Sequence, residues 1–217
     1  MEDHSSKSRA QPGRKGAATK ARLMQAARTM LKTCSPLDLT AISVSRAAGT
    51  APPSFYVYFA DVRALMLALA DDAADSLIGV SKAFEQEWPP DALEDCAAAF
   101  VQDFIAVWRA NADVLAYRNL AADRGDTEFD ESRVRSSLPI LSALTDRMLA
   151  AWPADTAPRR VELFAESVIL YASMERLAAT SGVDRPDQLR PDHYIAAFAR
   201  MIANATRPRP PIVAQTA

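Results

Sequence analysis

Apolar residues along most of this chain recur every three or four positions, the spacing that lines them up on one face of an α-helix. Leu23, Ala27, Met30, Leu31 and Cys34 form such a stripe over a helix expected from Thr19 to about Cys34. Val62, Leu65, Met66, Leu69, Ala73, Leu77, Val80, Phe84 and Trp88 form a longer one. They predict a helix over 61–87, stopped by Pro89 and Pro90 because the residue before a proline is pushed out of helical geometry. At about 1.5 Å per residue it would reach roughly 40 Å. Further helices are expected over about 91–110, 111–122, 128–152, 158–181 and 191–206, with Pro139 kinking the 128–152 helix. Residues 1–18 and 207–217 lack apolar periodicity, which predicts a disordered basic arm and a disordered tail.

One stretch departs from long amphipathic helices. TAISVSRAAGTAPPSFYVYFADVR, Thr40 to Arg63, reads as a capped helix, a glycine turn, a short aromatic helix and a helix restart. Thr40 is a good N-cap, and the helix end it opens can hold a phosphate by its free N–H groups. Val44, Ala47 and Ala48 share a face, and Gly49 supplies the backbone freedom that a turn between crossing helices needs. Pro52 and Pro53 fit only in a first helical turn, where a missing N–H costs nothing. Phe55 and Phe59, four apart, can anchor that helix on a core. Ser54, Tyr56, Val57 and Tyr58 then point elsewhere, giving hydroxyls and one apolar side chain on a short exposed helix, as a major-groove reader requires.

Composition adds a class. With 217 residues, 49% hydrophobic, and only six glycines, the chain is long enough for a sizeable core and favours an all-α fold. No apolar run approaches the roughly 20 residues that span a bilayer, and the polar, basic N-terminus is not followed by an apolar segment, so a cytoplasmic protein without membrane association is expected. Cys34 and Cys96 are isolated at helical positions and are expected to be buried reduced thiols.

The net charge of -2 conceals a division. Residues 1–65 carry ten Lys or Arg against four Asp or Glu, giving +6; the remaining fifteen against twenty-three give -8. A basic front end on an acidic body fits a module that meets phosphates, joined to one that does not. Arg14 and Lys15 in the arm, and Arg22 near the start of the first helix, are candidate phosphate contacts. Catalysis finds little support. The two histidines, His4 and His193, stand far apart in sequence, and there is no G-x-S-x-G, glycine-rich phosphate loop, H-E-x-x-H or paired cysteine spacing. No enzyme activity, cofactor or metal is therefore expected.

The last two helices are apolar on more than one side. Val161, Phe164, Val168 and Tyr171 mark one face of the 158–181 helix, while Leu163, Ile169, Leu170 and Leu177 widen the stripe. Tyr194, Phe198, Met201 and Ala205 line the 191–206 helix beside Ile195 and Ile202. Such breadth predicts that both helices pack against their copies in a homodimer, with Phe164, Val168, Tyr194, Phe198, Met201 and Ile202 at the interface.

The turn, the run SFYVYF and the restart at Leu65 and Met66 together resemble the DNA-binding part of the TetR family of bacterial transcriptional regulators, over roughly residues 19–66. The resemblance implies a helix-turn-helix domain over 19–60 and a helical effector-binding and dimerisation domain over 61–206. It implies a ligand-responsive repressor that binds palindromic double-stranded operator DNA as a dimer and is released by a small lipophilic effector. Within the reading head, Thr40, Ser54, Tyr56, Val57, Tyr58 and Arg63 join the arm residues and Arg22 as candidate DNA contacts. The family's effector cavity would be lined by Phe100, Phe104, Trp108, Tyr117, Met148, Trp152, Tyr171 and Met174, with Gln102, Arg118, Asn119 or Glu175 supplying polar groups. Two departures stand out: Ala51, Pro52 and Pro53 occupy the start of the recognition helix, and Ala60-Asp61-Val62 replaces the usual basic residue after it. Several phosphate donors are thus missing, which leaves a competing reading as a helical adaptor that binds another protein.

Overall fold

The computed structural model describes residues 14–180 and 190–210, and over these it is all-helical. The chain divides into two compact units between Leu69 and Ala70, a boundary that falls inside one helix.

The first unit holds α1 (Arg14–Leu31), α2 (Ala41–Ala47), α3 (Pro52–Tyr58) and the beginning of α4 (Val62–Val80). α1 starts five residues before Thr19, because Ala17 and Ala18 are strong helix formers and only Gly16 opposes the extension. It ends at Leu31, so Cys34 lies in the turn that follows, half-buried rather than buried. Leu23, Ala27 and Leu31 point into the core. A capping box opens α2: Thr40 Oγ1 accepts from the Ser43 N–H at 3.0 Å, and Ser43 Oγ accepts from the Thr40 N–H at 3.0 Å. The inward face of α2 is Ala41, Val44 and Ser45; Ala47, expected there, is exposed. Gly49 follows at φ 64°, a left-handed conformation that side-chain-bearing residues rarely adopt, and the Thr50 N–H closes the turn on the Ser45 carbonyl at 2.9 Å. Asp61 caps α4 by accepting from the Ala64 N–H at 2.7 Å.

α4 is shorter than its apolar stripe predicts. Helical geometry stops at Val80, about 28 Å from its start, and tightens into a 3-10 segment, Ser81–Glu85. Local bonds account for the change: Ser81 Oγ donates to the Ile78 carbonyl at 2.7 Å, and Trp88 Nε1 donates to the Ala83 carbonyl at 2.9 Å. Trp88 still reaches the core, but from an irregular segment.

The second unit is built around α5 (Leu93–Ala110), which packs most extensively on α9 (Pro191–Thr206) and also on α8 (Arg160–Thr180) and α6 (Ala112–Asp123). α7 (Thr127–Ala150) covers α6 and α8 and touches the 3-10 segment. Leu93, Ala97, Phe100, Val101, Phe104, Ile105 and Trp108 on α5 are all buried. Burying each of the larger side chains contributes about 1.5–3 kcal/mol against the entropy of ordering the chain. Gly125, at φ 92°, turns the chain from α6 to α7, and Asp126 caps α7 through the Phe129 N–H at 3.4 Å. Pro139 is accommodated within α7, which runs continuously through it. Cys96 on α5 is free and half-buried, again not fully buried as expected.

Candidate DNA-reading head and effector body

In α3 the four-residue spacing of the phenylalanines decides what the helix offers to solvent. Phe55 is wholly buried and Phe59 nearly so, their rings 5.5 Å apart. Tyr56 and Val57 are thereby turned outward, 58% and 69% exposed, with Ser54 and Tyr58 half-buried beside them. Thr40 is exposed, although its hydroxyl is already committed to the α2 cap. Arg22 is exposed and donates to Thr19 Oγ1 at 3.4 Å, while Arg63 is half-buried. Lys20 lies over the Phe59 ring at 5.8 Å, a basic group beside α3 that the sequence did not single out. Arg14 and Lys15 belong to the first turn of α1, but their side chains lie outside the described residues, as do Lys7 and Arg9.

In the body, three of the aromatic residues expected around an effector, Phe100, Phe104 and Tyr171, join Phe84 and Trp88 in one continuous packing chain. Phe84 stacks on Trp88 at 5.3 Å and meets Phe100 at a tilt at 4.6 Å; Phe100 meets Phe104 at 6.5 Å, and Phe104 meets Tyr171 edge-on at 5.4 Å. Trp108, Met148 and Met174 are buried. Tyr117 is half-buried against Phe129, and Trp152 lies half-buried under the guanidinium of Arg209 at 3.7 Å. Gln102 faces outward.

The polar candidates converge. Arg118, with no exposed surface, donates through Nε to Asn119 Oδ1 at 3.1 Å, through Nη1 to Ser136 Oγ at 2.9 Å and through Nη2 to Glu175 Oε1 at 3.4 Å. Asn119 Nδ2 donates to the same Glu175 oxygen at 3.2 Å. Burial lowers the Arg118 pKa from its ordinary value. Burial also pushes the Tyr171 phenol well above the usual tyrosine range, and the Glu175 charge pushes it further, so it remains a protonated donor. Its hydroxyl and the Trp108 indole N–H are both buried without a partner at hydrogen-bonding distance among the described residues.

Two open clefts flank the 3-10 segment. One, of about 520 Å³, lies between the end of α4 and α5, where Val80, Trp88 and Phe100 meet Lys82, Cys96 and Asp103. The other, of about 480 Å³, faces α7 and is bounded by Phe84, Ala143 and Arg147. Between them, Arg147 Nη2 donates to the Phe84 and Gln86 carbonyls at 3.0 and 2.7 Å, and its guanidinium stacks 4.6 Å from the Trp88 ring. Sequence reasoning missed Arg147, because nothing in a helix pattern marks which arginine will cross to carbonyls about sixty positions away.

On α8 the inward stripe is Leu163, Ser167, Leu170, Tyr171, Met174 and Ala178. A second stripe, Val161, Ala165, Val168, Ile169 and Ala172, follows the same period and is exposed. Among the expected interface residues, Val168 and Met201 are exposed at 40% and 52%, and Phe164 and Tyr194 are half-buried. Phe198 and Ile202 are buried within the single chain on the face of α9 that also carries Ala199 and Ala203.

Residues 81–188 match the family model described as the tetracyclin repressor-like C-terminal domain. The chain belongs to the TetR family. Solved structures of TetR-type regulators share its fold at low identity. The fatty acid degradation regulator FadR from Bacillus halodurans has 10% identity and a TM-score of 0.66, covering 92% of this chain and 100% of its own. A TetR-family regulator from Mesorhizobium loti has 16% identity and a TM-score of 0.61, covering 90% and 97%. PfmR from Thermus thermophilus has 15% identity and a TM-score of 0.58, covering 84% and 97%. No curated protein sequence matches the chain. The fold is that of a family of DNA-binding transcriptional regulators that dimerise, not of an enzyme family. No helix of the described residues is long and apolar enough to cross a membrane.

Proposed function

We propose that this TetR-family protein is a repressor that binds a palindromic operator as a homodimer and is released by a small lipophilic effector. The observation that carries the reading is the division of α3 into a buried Phe55/Phe59 face and an outward Tyr56/Val57 face. In this reading residues 19–60 are the reading head and residues 61–206 the effector-binding and dimerisation body. Tyr56 and Tyr58 hold phosphates, Val57 meets a thymine methyl, and Ser54 takes a phosphate or a base edge. Arg22, Arg63 and the Thr40 end of α2 anchor the backbone, and Arg14 and Lys15 extend that contact. Lys20, beside Phe59, supplies some of the basic charge missing at Ala51–Pro53 and Ala60–Val62.

The exposed stripe of α8, together with Met201 on α9, supports a dimer with reading heads about 34 Å apart, one turn of DNA. The aromatic chain from Phe84 to Tyr171 supports an apolar effector. A compound that favours a non-reading conformation shifts the population away from DNA by at most the ratio of its affinities for the two states. The fatty acid degradation regulator with this fold makes a lipid-like effector a reasonable first class to screen. The test is binding of the purified protein to DNA upstream of its own gene and to a scrambled duplex, across a salt titration. Selective binding that weakens steeply with salt is the expected result. Equal binding to both duplexes, followed by failure to enrich any sequence from a random pool, overturns the reading and favours an adaptor.

A further inference from the structure

Among the described residues, one charged side chain is fully buried. Arg118 sits at zero exposure on α6, and only three of its five N–H donors have partners: Asn119 Oδ1, Ser136 Oγ and Glu175 Oε1. The ion pair with Glu175 is long, at 3.4 Å, and the same carboxylate oxygen also serves Asn119. Tyr171 and Glu175 lie four residues apart on α8 and so share a face. The Tyr171 phenol lies within electrostatic reach of both Arg118 and Glu175. Its hydroxyl is buried and has no partner at hydrogen-bonding distance among the described residues; Ser136 Oγ is close enough to counter part of the rise in the phenol's pKa, but it already accepts from Arg118 at 2.9 Å and donates to the Arg133 carbonyl at 2.8 Å. Buried donors left unsatisfied are rare in folded proteins and are usually filled by water or a ligand. The seam is not sealed: the Glu175 side chain retains 19% exposure and Asn119 is half-buried, so the cluster meets solvent at its rim. At its inner end Tyr171 touches the aromatic chain through Phe104, with the second unpaired donor, Trp108 Nε1, one turn further along α5.

We propose that this seam is the head-group subsite of the effector, and that it selects a neutral apolar molecule bearing a carbonyl oxygen, such as a ketone or an ester. The proposal deepens the effector reading above and rests on it. Arg118 offers donors only and the Tyr171 phenol has its donor to give, and an sp² oxygen has two lone pairs with which to accept from both. A carboxylate would bring a second negative charge beside Glu175. An ammonium would bring a positive charge beside Arg118, whose pairing already occupies the only carboxylate of the cluster. The neutral carbonyl satisfies the orphaned donor and leaves the Arg118–Glu175 pair intact, while its tail lies along Phe104 and Phe100.

The test titrates the full-length protein, without DNA, with 2-decanone, decanoate and decylamine, following tryptophan emission. 2-Decanone is expected to bind about tenfold or more tightly than either charged probe. Tyr171→Phe, which keeps the ring and its packing, should weaken the ketone about tenfold, the usual worth of one buried hydrogen bond, and leave decanoate unchanged. Glu175→Gln should narrow the gap by raising decanoate affinity. Equal affinities, preference for decanoate, ketone binding indifferent to Tyr171→Phe, or no binding because the seam holds only water would each overturn the proposal. Because no operator enters this assay, loss of ketone selectivity with DNA binding intact sinks this inference alone, and ketone selectivity without DNA binding sinks the repressor reading.

Discussion

A single side chain acts in this protein mainly through what it leaves exposed or unpaired. Phe55 has no exposed surface and holds α3 in place, so Phe55→Ala should cost about 3–5 kcal/mol, read as a lowered denaturation midpoint. Tyr56→Phe should leave that midpoint alone and reduce operator affinity about tenfold, measured by fluorescence anisotropy on the upstream duplex; unchanged affinity across salt would remove Tyr56 from the contact surface. Tyr171 gives a pH signature. Its phenol stays protonated in the fold well above the ordinary tyrosine value of 10.0, whereas the unfolded chain releases that proton near 10.0. Above that pH the native state binds more protons than the unfolded one, so stability falls as pH rises. In Tyr171→Phe the alkaline decline in chemical-denaturation midpoint should be shallower than in the parent protein.

Elements are stabilised here by cross-connections that their own sequences do not announce. The 3-10 segment Ser81–Glu85 is clamped by Arg147 from α7 through two carbonyls and the Trp88 ring. Burial lowers the Arg147 pKa, and its Nε is buried without a partner, yet the guanidinium replaces peptide bonds that a continuing α-helix would have made. Arg147→Met keeps much of the stacking and deletes the donors. It should cost about 1–3 kcal/mol and shift tryptophan emission to the red as Trp88 is hydrated. α4 is tied to α7 differently, through Arg135 donating to Asp71 Oδ1 at 3.0 Å, to the Asp71 carbonyl at 3.1 Å and to Asp75 Oδ1 at 2.5 Å. The hydrogen bond to Asp75 is the largest influence raising the Arg135 pKa. All three side chains are largely exposed, so Arg135→Gln should change stability by less than about 1 kcal/mol.

For the whole molecule, the question is what covers the outward stripe of α8. Val161 and Ile169, 64% and 66% exposed, are too apolar for a helix meant to face water on that side. Val168→Glu combined with Ile169→Lys should convert a dimer to a monomer in sedimentation velocity. Because both positions are exposed within the chain, the monomer should keep its helical circular dichroism, and operator affinity should fall by orders of magnitude when one reading head must act alone. A double variant that remains dimeric would place the interface elsewhere.

Helix periodicity, caps and the glycine turn depend on neighbours within a few positions, so the all-helical fold, the buried Phe55/Phe59 pair, the Thr40 cap and the turn at Gly49 were legible in the chain alone. The two-sided apolarity of α8 was legible for the same reason. Which side faces inward was not, because that depends on where α5 and α7 lie, and Tyr171 proved to belong with the inward stripe. Phe198 and Ile202, apolar and in register, read equally well as interface or core until packing on α5 buried them. The end of α4 at Val80 was hidden because its apolar spacing continues to Trp88, whereas the break is made by the Ser81 and Trp88 bonds and held by Arg147 from α7. The Arg118, Asn119, Ser136, Tyr171 and Glu175 cluster came only from folding, since residues up to 57 positions apart meet there through three helices whose crossing no local pattern encodes.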